Sequence, residues 1–108
     1  GAGNLIRAMA IEYTIYYRGA PEDLRAAMDE TLPPDCFPHR SISPTRAFDR
    51  EILAEEGFPS DFPLQLHLRL DKFRRSEAMP AHYRLRDRLG PDKSLFLFQN
   101  ETELPPPR

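Results

Sequence analysis

The stretch that decides the fold is LQLHLRLDKF, residues Leu64–Phe73. Four leucines alternate strictly with polar residues over its first eight positions. This pattern predicts a β-strand with one buried face and one face in contact with water. A basic turn follows, and a helix is predicted from Ser76 to Leu89, where Gly90-Pro91 ends it. The inward stripe of this helix contains Ala78, His82, Leu85 and Leu89.

Two further segments have strand patterns, and two have helix patterns. AIEYTIYYR at 10–18 alternates along its length, and SLFLFQN at 94–100 is an apolar run typical of a strand inside a sheet. Helices are predicted at 21–32, before Pro33-Pro34, and at 45–56, with Ser43 as N-cap and Pro44 at the first helical position. The second helix has Phe48, Ile52 and Leu53 as candidates for its apolar face, and acidic residues, Asp49 among them, on its outer face. Residues 33–43 have a brief alternation that allows a short edge strand.

This order of elements predicts an α+β fold of the form β-α-(β)-α-β-α-β. We expect one antiparallel or mixed sheet of three or four strands, with helices packed on one face, related to the ferredoxin-like folds. The predicted domain covers residues 9–101. Residues 1–8 are expected to be a flexible leader or an expression remnant, and the proline-rich residues 102–108 an extended tail.

Composition excludes several classes of protein. The chain has 108 residues, enough for one domain, and no apolar run long enough to span a membrane. Cys36 is the single cysteine, which excludes an internal disulfide and fits a reducing compartment, so we expect a cytoplasmic protein. The formal net charge of −2 argues against a dedicated nucleic-acid-binding protein.

The charge is unevenly distributed along the chain. Residues 1–63 contain 6 Lys/Arg and 11 Asp/Glu, whereas residues 64–108 contain 9 and 6. These charges are either solvated helix faces, or one acidic and one basic surface that steer a charged macromolecular partner. The basic candidates are Arg69, Lys72, Arg74, Arg75, Arg84, Arg86 and Arg88. The candidate partner-binding residues on the acidic side are Asp49, Glu51, Glu55, Glu56 and Asp61.

No catalytic, metal or cofactor site is predicted. Cys36 and His39 in CFPH resemble half of a zinc site, but zinc needs four ligands, or three and an open position. His67 and His82 lie on different predicted elements, and no third group would orient a Cys-His pair for catalysis. The five glycines form no phosphate-binding loop, so we expect a protein that is not an enzyme and has no cofactor.

The polar face of the predicted sheet is the remaining candidate surface. Thr14 and Tyr16 would lie there beside Gln65, His67 and Arg69. One apolar pair from the last strand must also face that side. This apolar strip is either covered by residues 33–43 or the C-terminal tail, or it docks a protein or a second copy. A third possibility, base stacking on RNA, lacks the expected basic-Gly-aromatic run.

Four segments together resemble a known family. They are MAIEYTIYYRG at 9–19, LQLHLRLDKF at 64–73, SEAMPAHYRLRDRL at 76–89 and SLFLFQNE at 94–101. In this order they resemble the small cytoplasmic immunity proteins of the Sit (swapped inhibitor toxin) system of myxobacteria and related bacteria. Glu55-Glu56-Gly57-Phe58 corresponds to the family's "xxGF", and Leu68–Lys72 to its "(F/L)-x-L-D-K". The stretch before Leu64 is shorter and richer in proline than in that family.

The resemblance implies a non-enzymatic protein that binds and neutralises a cognate protein toxin by covering its active surface. If that toxin is a nuclease, its cleft is basic, and an acidic surface would steer association and mimic substrate phosphates. Two alternatives stay open. One is a small ferredoxin-like ligand-binding or enzymatic domain, which needs a pocket where His39, His67 or His82 meets a carboxylate. The other is an RNA-binding sheet. Both a monomer and a homodimer are compatible with the sequence.

Overall fold

The computed structural model describes residues 10–98 and 102–103. The strands are β1 (Ala10–Tyr17), β2 (His39–Pro44), β3 (Leu64–Asp71), β4 (Ser94–Phe98) and β5 (Thr102–Glu103). The helices are α1 (Pro21–Thr31), α2 (Ala47–Glu55) and α3 (Arg75–Leu89), and a 3-10 helix, Lys72–Arg74, precedes α3. The leader predicted at 1–8 and most of the tail predicted at 102–108 lie outside the described residues.

The strands form a single sheet in the order β2-β3-β1-β4-β5, and every neighbouring pair is antiparallel. The central strand β1 sets the register, since Ile15 pairs with Leu66 of β3 on one side and with Phe96 of β4 on the other. The predicted α+β class is confirmed. The edge strand allowed for residues 33–43 is β2, and the two residues of β5 extend the sheet within the segment predicted as a tail.

Helices α1 and α3 pack together on one face of the sheet. Alternation along the strands places Tyr13, Ile15 and the inward leucines of β3 on this face. The helices contribute residues at helical spacing, among them Leu24 and Leu85, which are fully buried. The stripe predicted for α3 is confirmed, because Ala78, His82, Leu85 and Leu89 are all buried.

Helix α2 lies on the opposite face and so departs from the prediction of helices on one face only. Its Leu53 packs against Tyr16, Leu95 and Leu97, together with Phe58 and Phe62 of the following loop. This second cluster covers the apolar strip of β4. Of the two segments that the sequence allows as a cover for this strip, residues 33–43 do not provide it, because they supply β2 and place Cys36 and Phe37 in the other core. Most of the other segment, the C-terminal tail, lies outside the described residues.

The start of α2 also differs from the prediction. The helix begins at Ala47 with Arg46 as N-cap, because Ser43 and Pro44 are paired with β3 as the end of β2. The Thr45 amide donates to the Pro63 carbonyl at 3.0 Å and holds this end of α2 beside the start of β3. Within the described residues, no helix has the length and apolar character needed to cross a bilayer.

Candidate functional site

Two consecutive residues show how α2 is oriented on the sheet. Asp49 is 4% exposed, whereas Phe48 is 68% exposed. Arg46 Nε donates to Asp49 Oδ2 at 2.9 Å, which satisfies the buried carboxylate. The sequence pattern predicts the reverse, with Asp49 outside and Phe48 inside, and this prediction is wrong for both residues. Asp49 is therefore not available for direct contact with a partner.

The side of α2 that faces water carries three exposed glutamates, Glu51, Glu55 and Glu56. Among the described residues, no basic side chain lies within ion-pairing distance of them. Glu51 and Glu55 are four residues apart, so two like charges share one helix face. Glu55 and Glu56 lie at the negative end of the helix dipole, and the last turn contains no basic residue. These carboxylates therefore destabilise the isolated helix.

Asp61 has a different environment from these glutamates. It is exposed but forms an ion pair with Arg18, and this hydrogen bond lowers the pKa of the Asp61 carboxyl. The Arg18 guanidinium carbon also lies 4.2 Å from the centroid of the Phe62 ring, and Nη1 donates to the Asp92 carbonyl at 3.0 Å. Asp61 thus holds the loop after α2 against β1, and its charge is largely balanced.

We call the exposed surface of α2 the α2 outer face. Positions 48, 51, 52 and 55 share one side of a helix with 3.6 residues per turn, and Glu56 follows at its end. Ile52 in this set is half-buried. Of the five residues predicted to bind a partner, Glu51, Glu55 and Glu56 lie on this face, Asp49 lies beneath it, and Asp61 is paired elsewhere. The α2 outer face is defined by Phe48, Glu51, Ile52, Glu55 and Glu56.

The predicted basic residues are more fully paired than these glutamates. Arg69 pairs with Glu12 across the sheet at 3.2 Å, and Arg88 of α3 pairs with Glu30 of α1 at 2.9 Å. Arg74 also reaches a carboxylate, that of Glu77, at 3.6 Å. These pairs balance part of the basic surface within the molecule itself, so the α2 outer face is the stronger candidate for a charged partner.

An open groove of about 650 Å³ lies on the polar side of β2 and β3. It brings His39 and His67 to one surface, and His67 Nδ1 lies 3.4 Å from Thr14 Oγ1. No carboxylate lines this groove among the described residues, so the groove lacks the acid–base partner that an enzymatic domain needs. The full lining is His39, Ser41, Ser43, Pro44, Thr45, Arg46, Gln65 and His67.

Cys36 and His39 do not converge. Cys36 is buried in the core beneath α1 and α3, where Sγ donates to Glu77 Oε2 at 3.6 Å, and burial raises the pKa of the thiol. His39 is exposed and lines the groove on the other side of the sheet. In the part of the chain that the structure describes, no three His, Cys, Asp or Glu side chains are grouped so as to hold a metal ion.

Comparison with solved structures of other proteins finds similar chains. A chain of the CdiA-CT/CdiI toxin and immunity complex from Burkholderia pseudomallei superposes with a TM-score of 0.66 at 18% sequence identity, covering 86% of this chain and 95% of that chain. A dimeric ferredoxin-like protein of unknown function from Thermobifida fusca superposes with a TM-score of 0.47 at 12% identity, covering 83% and 89%. No protein-family model matches the sequence, and a comparison with curated proteins gives no match. The chain therefore shares its fold with a component of a toxin–immunity complex.

Proposed function

We propose that this chain is a non-enzymatic immunity protein of the cytoplasm, which binds a cognate bacterial toxin and neutralises it by covering the toxin's active surface. The observation that carries the proposal is the α2 outer face, where Glu51, Glu55 and Glu56 are exposed and lack ion-pair partners among the described residues. The proposal is also supported by the fold, which recurs in a toxin–immunity complex, and by the resemblance to the Sit immunity proteins.

The energetics of α2 favour a binding role for these glutamates. Like charges four residues apart cost about 0.2–0.5 kcal/mol, and an acidic residue at a helix C-terminus loses about 0.3–1 kcal/mol relative to a basic one. A cationic partner would offset both terms through its attraction to the carboxylates. Charges that destabilise the free helix and are relieved on binding are expected at a recognition surface, whereas a purely structural helix would gain from basic residues in its last turn.

The charge of this surface supports a proposal for the class of toxin. An enzyme that cleaves nucleic acid has a basic cleft that binds phosphates. Three carboxylates on one short helix would occupy phosphate positions in such a cleft and would accelerate association by long-range attraction. We therefore propose a nuclease as the toxin.

The function is tested by growth of a sensitive host. The polypeptide encoded beside this chain is expressed alone and together with the full chain, and complexes are then purified from the cells. We expect arrest with the neighbouring polypeptide alone, restored growth with both, and a complex that survives purification. Persistent arrest without a complex contradicts the proposal. Arrest caused by this chain alone also contradicts it, because the chain would then be the toxin.

The surface is tested by charge reversal. The E51K/E55K variant should associate with the toxin about tenfold more slowly at low ionic strength, and its rate should depend less on salt than that of the wild type. E22K/D23K is the matched control, since it makes the same change in net charge at exposed positions of α1. Equal association rates for the two variants would show that net charge, rather than the α2 outer face, guides binding.

The two alternative functions have less support. Tyr16 lies on the polar side of the sheet and is buried under α2, so among the described side chains no tyrosine or phenylalanine of the strands is exposed there to stack on RNA bases. The enzymatic role expected from the sequence needs a histidine beside a carboxylate, and the groove at His39 and His67 has no carboxylate in its described lining.

A further inference from the structure

The α2 outer face carries an aromatic side chain as well as charge. Phe48 is 68% exposed, and Phe73 is the other large apolar residue that stands out into solvent among the described residues. Phe48 precedes Glu51 and Glu55 by three and seven positions, so all three side chains follow one line along the helix. An exposed phenylalanine next to unpaired carboxylates is a specific combination of apolar and anionic character.

The orientation of α2 leaves its one phenylalanine in solvent. A rotation by one residue, about 100°, would bury Phe48 and expose Asp49. Burial of a phenylalanine side chain is generally favourable, while burial of a carboxylate is costly unless it is hydrogen-bonded. The bond from Arg46 Nε to Asp49 Oδ2 at 2.9 Å, together with the buried Leu53, fixes the observed orientation. The Arg46–Asp49 hydrogen bond and the buried Leu53 therefore keep Phe48 in solvent.

We propose that Phe48 is the apolar anchor of the toxin-binding surface and enters a hydrophobic pocket on the toxin that is rimmed by lysine or arginine side chains. This inference rests on the proposed function and adds the chemistry of the partner's surface. Binding energy in protein interfaces is concentrated in a few aromatic residues near the centre, surrounded by polar contacts that exclude water. Phe48 would be such a residue, and Glu51 and Glu55 would meet the basic rim.

The test compares Phe48→Ala with Phe73→Ala for binding to the purified polypeptide encoded beside this chain, at low and at high salt. Phe73 is a matched control: it is 75% exposed, follows the far end of β3 from α2, and precedes the helix on the other face of the sheet. We expect Phe48→Ala to dissociate about 30-fold faster, with an almost unchanged association rate. This loss should persist at high salt, whereas the effect of E51K/E55K should shrink.

The outcomes distinguish a failure of the proposed role of Phe48 from a failure of the proposed immunity function. If the wild type binds and Phe48→Ala dissociates as slowly as Phe73→Ala, the proposed role of Phe48 is wrong and the immunity function stands. If the wild type does not bind, the proposed function is wrong, and so is the proposed role of Phe48 in binding. Urea unfolding supplies the structural control, since truncation of an exposed ring should leave the midpoint almost unchanged. If the urea midpoint of Phe48→Ala is lowered as far as that of Leu53→Ala, Phe48 contributes to packing of the fold, and its proposed role in binding is wrong.

Discussion

Phe48 and Asp49 are neighbours in α2 and occupy each other's usual environments: the phenyl ring lies in solvent, and the carboxylate is buried. Arg46 makes this arrangement possible, because its guanidinium donates to the carboxylate from the preceding turn. The Asp49 charge also acts on the core, where it adds to the effect of burial in raising the pKa of Tyr16 to about 12. This hydrogen bond and the buried Leu53 thus determine which residues of α2 face solvent.

Removal of Arg46 should cost more stability than removal of Asp49. Arg46→Ala leaves a carboxylate that is only 6% exposed without its donor, and we expect a loss of about 1–3 kcal/mol in the free energy of unfolding. Asp49→Ala removes the buried charge itself and leaves an Arg46 side chain that is 68% exposed and hydrated. Urea unfolding of both single variants and of the double variant measures the interaction energy between Arg46 and Asp49. Additive effects would show that the pair does not hold α2 in place.

Neutralisation of the glutamates at the end of α2 should stabilise the free protein. Glu51→Gln with Glu55→Gln removes a like-charge pair and one unfavourable charge at the helix C-terminus, so the free energy of unfolding should rise by about 0.5–1 kcal/mol at low salt. The same variant should bind the toxin more weakly. We thus predict higher stability together with weaker binding. Chemical denaturation measures the stability, and binding kinetics measure the affinity. Loss of both stability and binding would assign the glutamates a structural role.

The stability of the fold should fall in mild acid because of His82. This side chain is fully buried among Tyr13, Phe37 and Phe96, and burial lowers the pKa of its imidazole from 6.5 to about 4. Between these pH values the unfolded chain takes up a proton that the folded chain does not, so acid favours unfolding. The free energy of unfolding should decrease as the pH falls from 6.5 towards 4, by a total of about 3 kcal/mol.

His82→Leu provides the control for this pH dependence. Neither ring nitrogen of His82 has a hydrogen-bond partner among the described residues, so leucine removes no such bond and should flatten the pH profile between pH 6.5 and pH 4. Urea midpoints of the wild type and the variant, measured across this pH range, show whether His82 causes the loss of stability. A variant with the same acid sensitivity as the wild type would assign the effect to other groups.

Regular patterns in the sequence were sufficient to predict most of the fold. The alternation in β3 and the helical spacing of Ala78, His82, Leu85 and Leu89 each reflect burial of one face, and the structure confirms both. Helix α2 was placed less well, because β2 takes up Ser43 and Pro44 and leaves only nine residues for the helix. Its buried stripe of Asp49 and Leu53 includes a carboxylate, which periodicity rules assign to solvent.

The candidate site could be predicted only in part for a similar reason. Glu51, Glu55 and Glu56 are exposed as expected, since charged residues on a short helix favour water. Asp61 was grouped with them by charge, but its partner Arg18 is 43 residues away in the sequence, and spacing rules do not detect such a pair. The hydrophobicity of Phe48 predicts a core position, and only the structure, through the Arg46–Asp49 contact and the buried Leu53, shows why this ring is exposed.

Hydrogen–deuterium exchange of this chain with and without its proposed toxin tests the central claim most directly, because it maps the surface that binding protects. Exchange is compared for the free chain and for the chain bound to the polypeptide encoded beside it. We predict slower exchange in peptides covering residues 46–58, with unchanged exchange in those covering the basic helix α3 at 75–89. Protection confined to α1, α3 or the β2 edge, with α2 exchanging as in the free chain, would contradict docking through the α2 outer face.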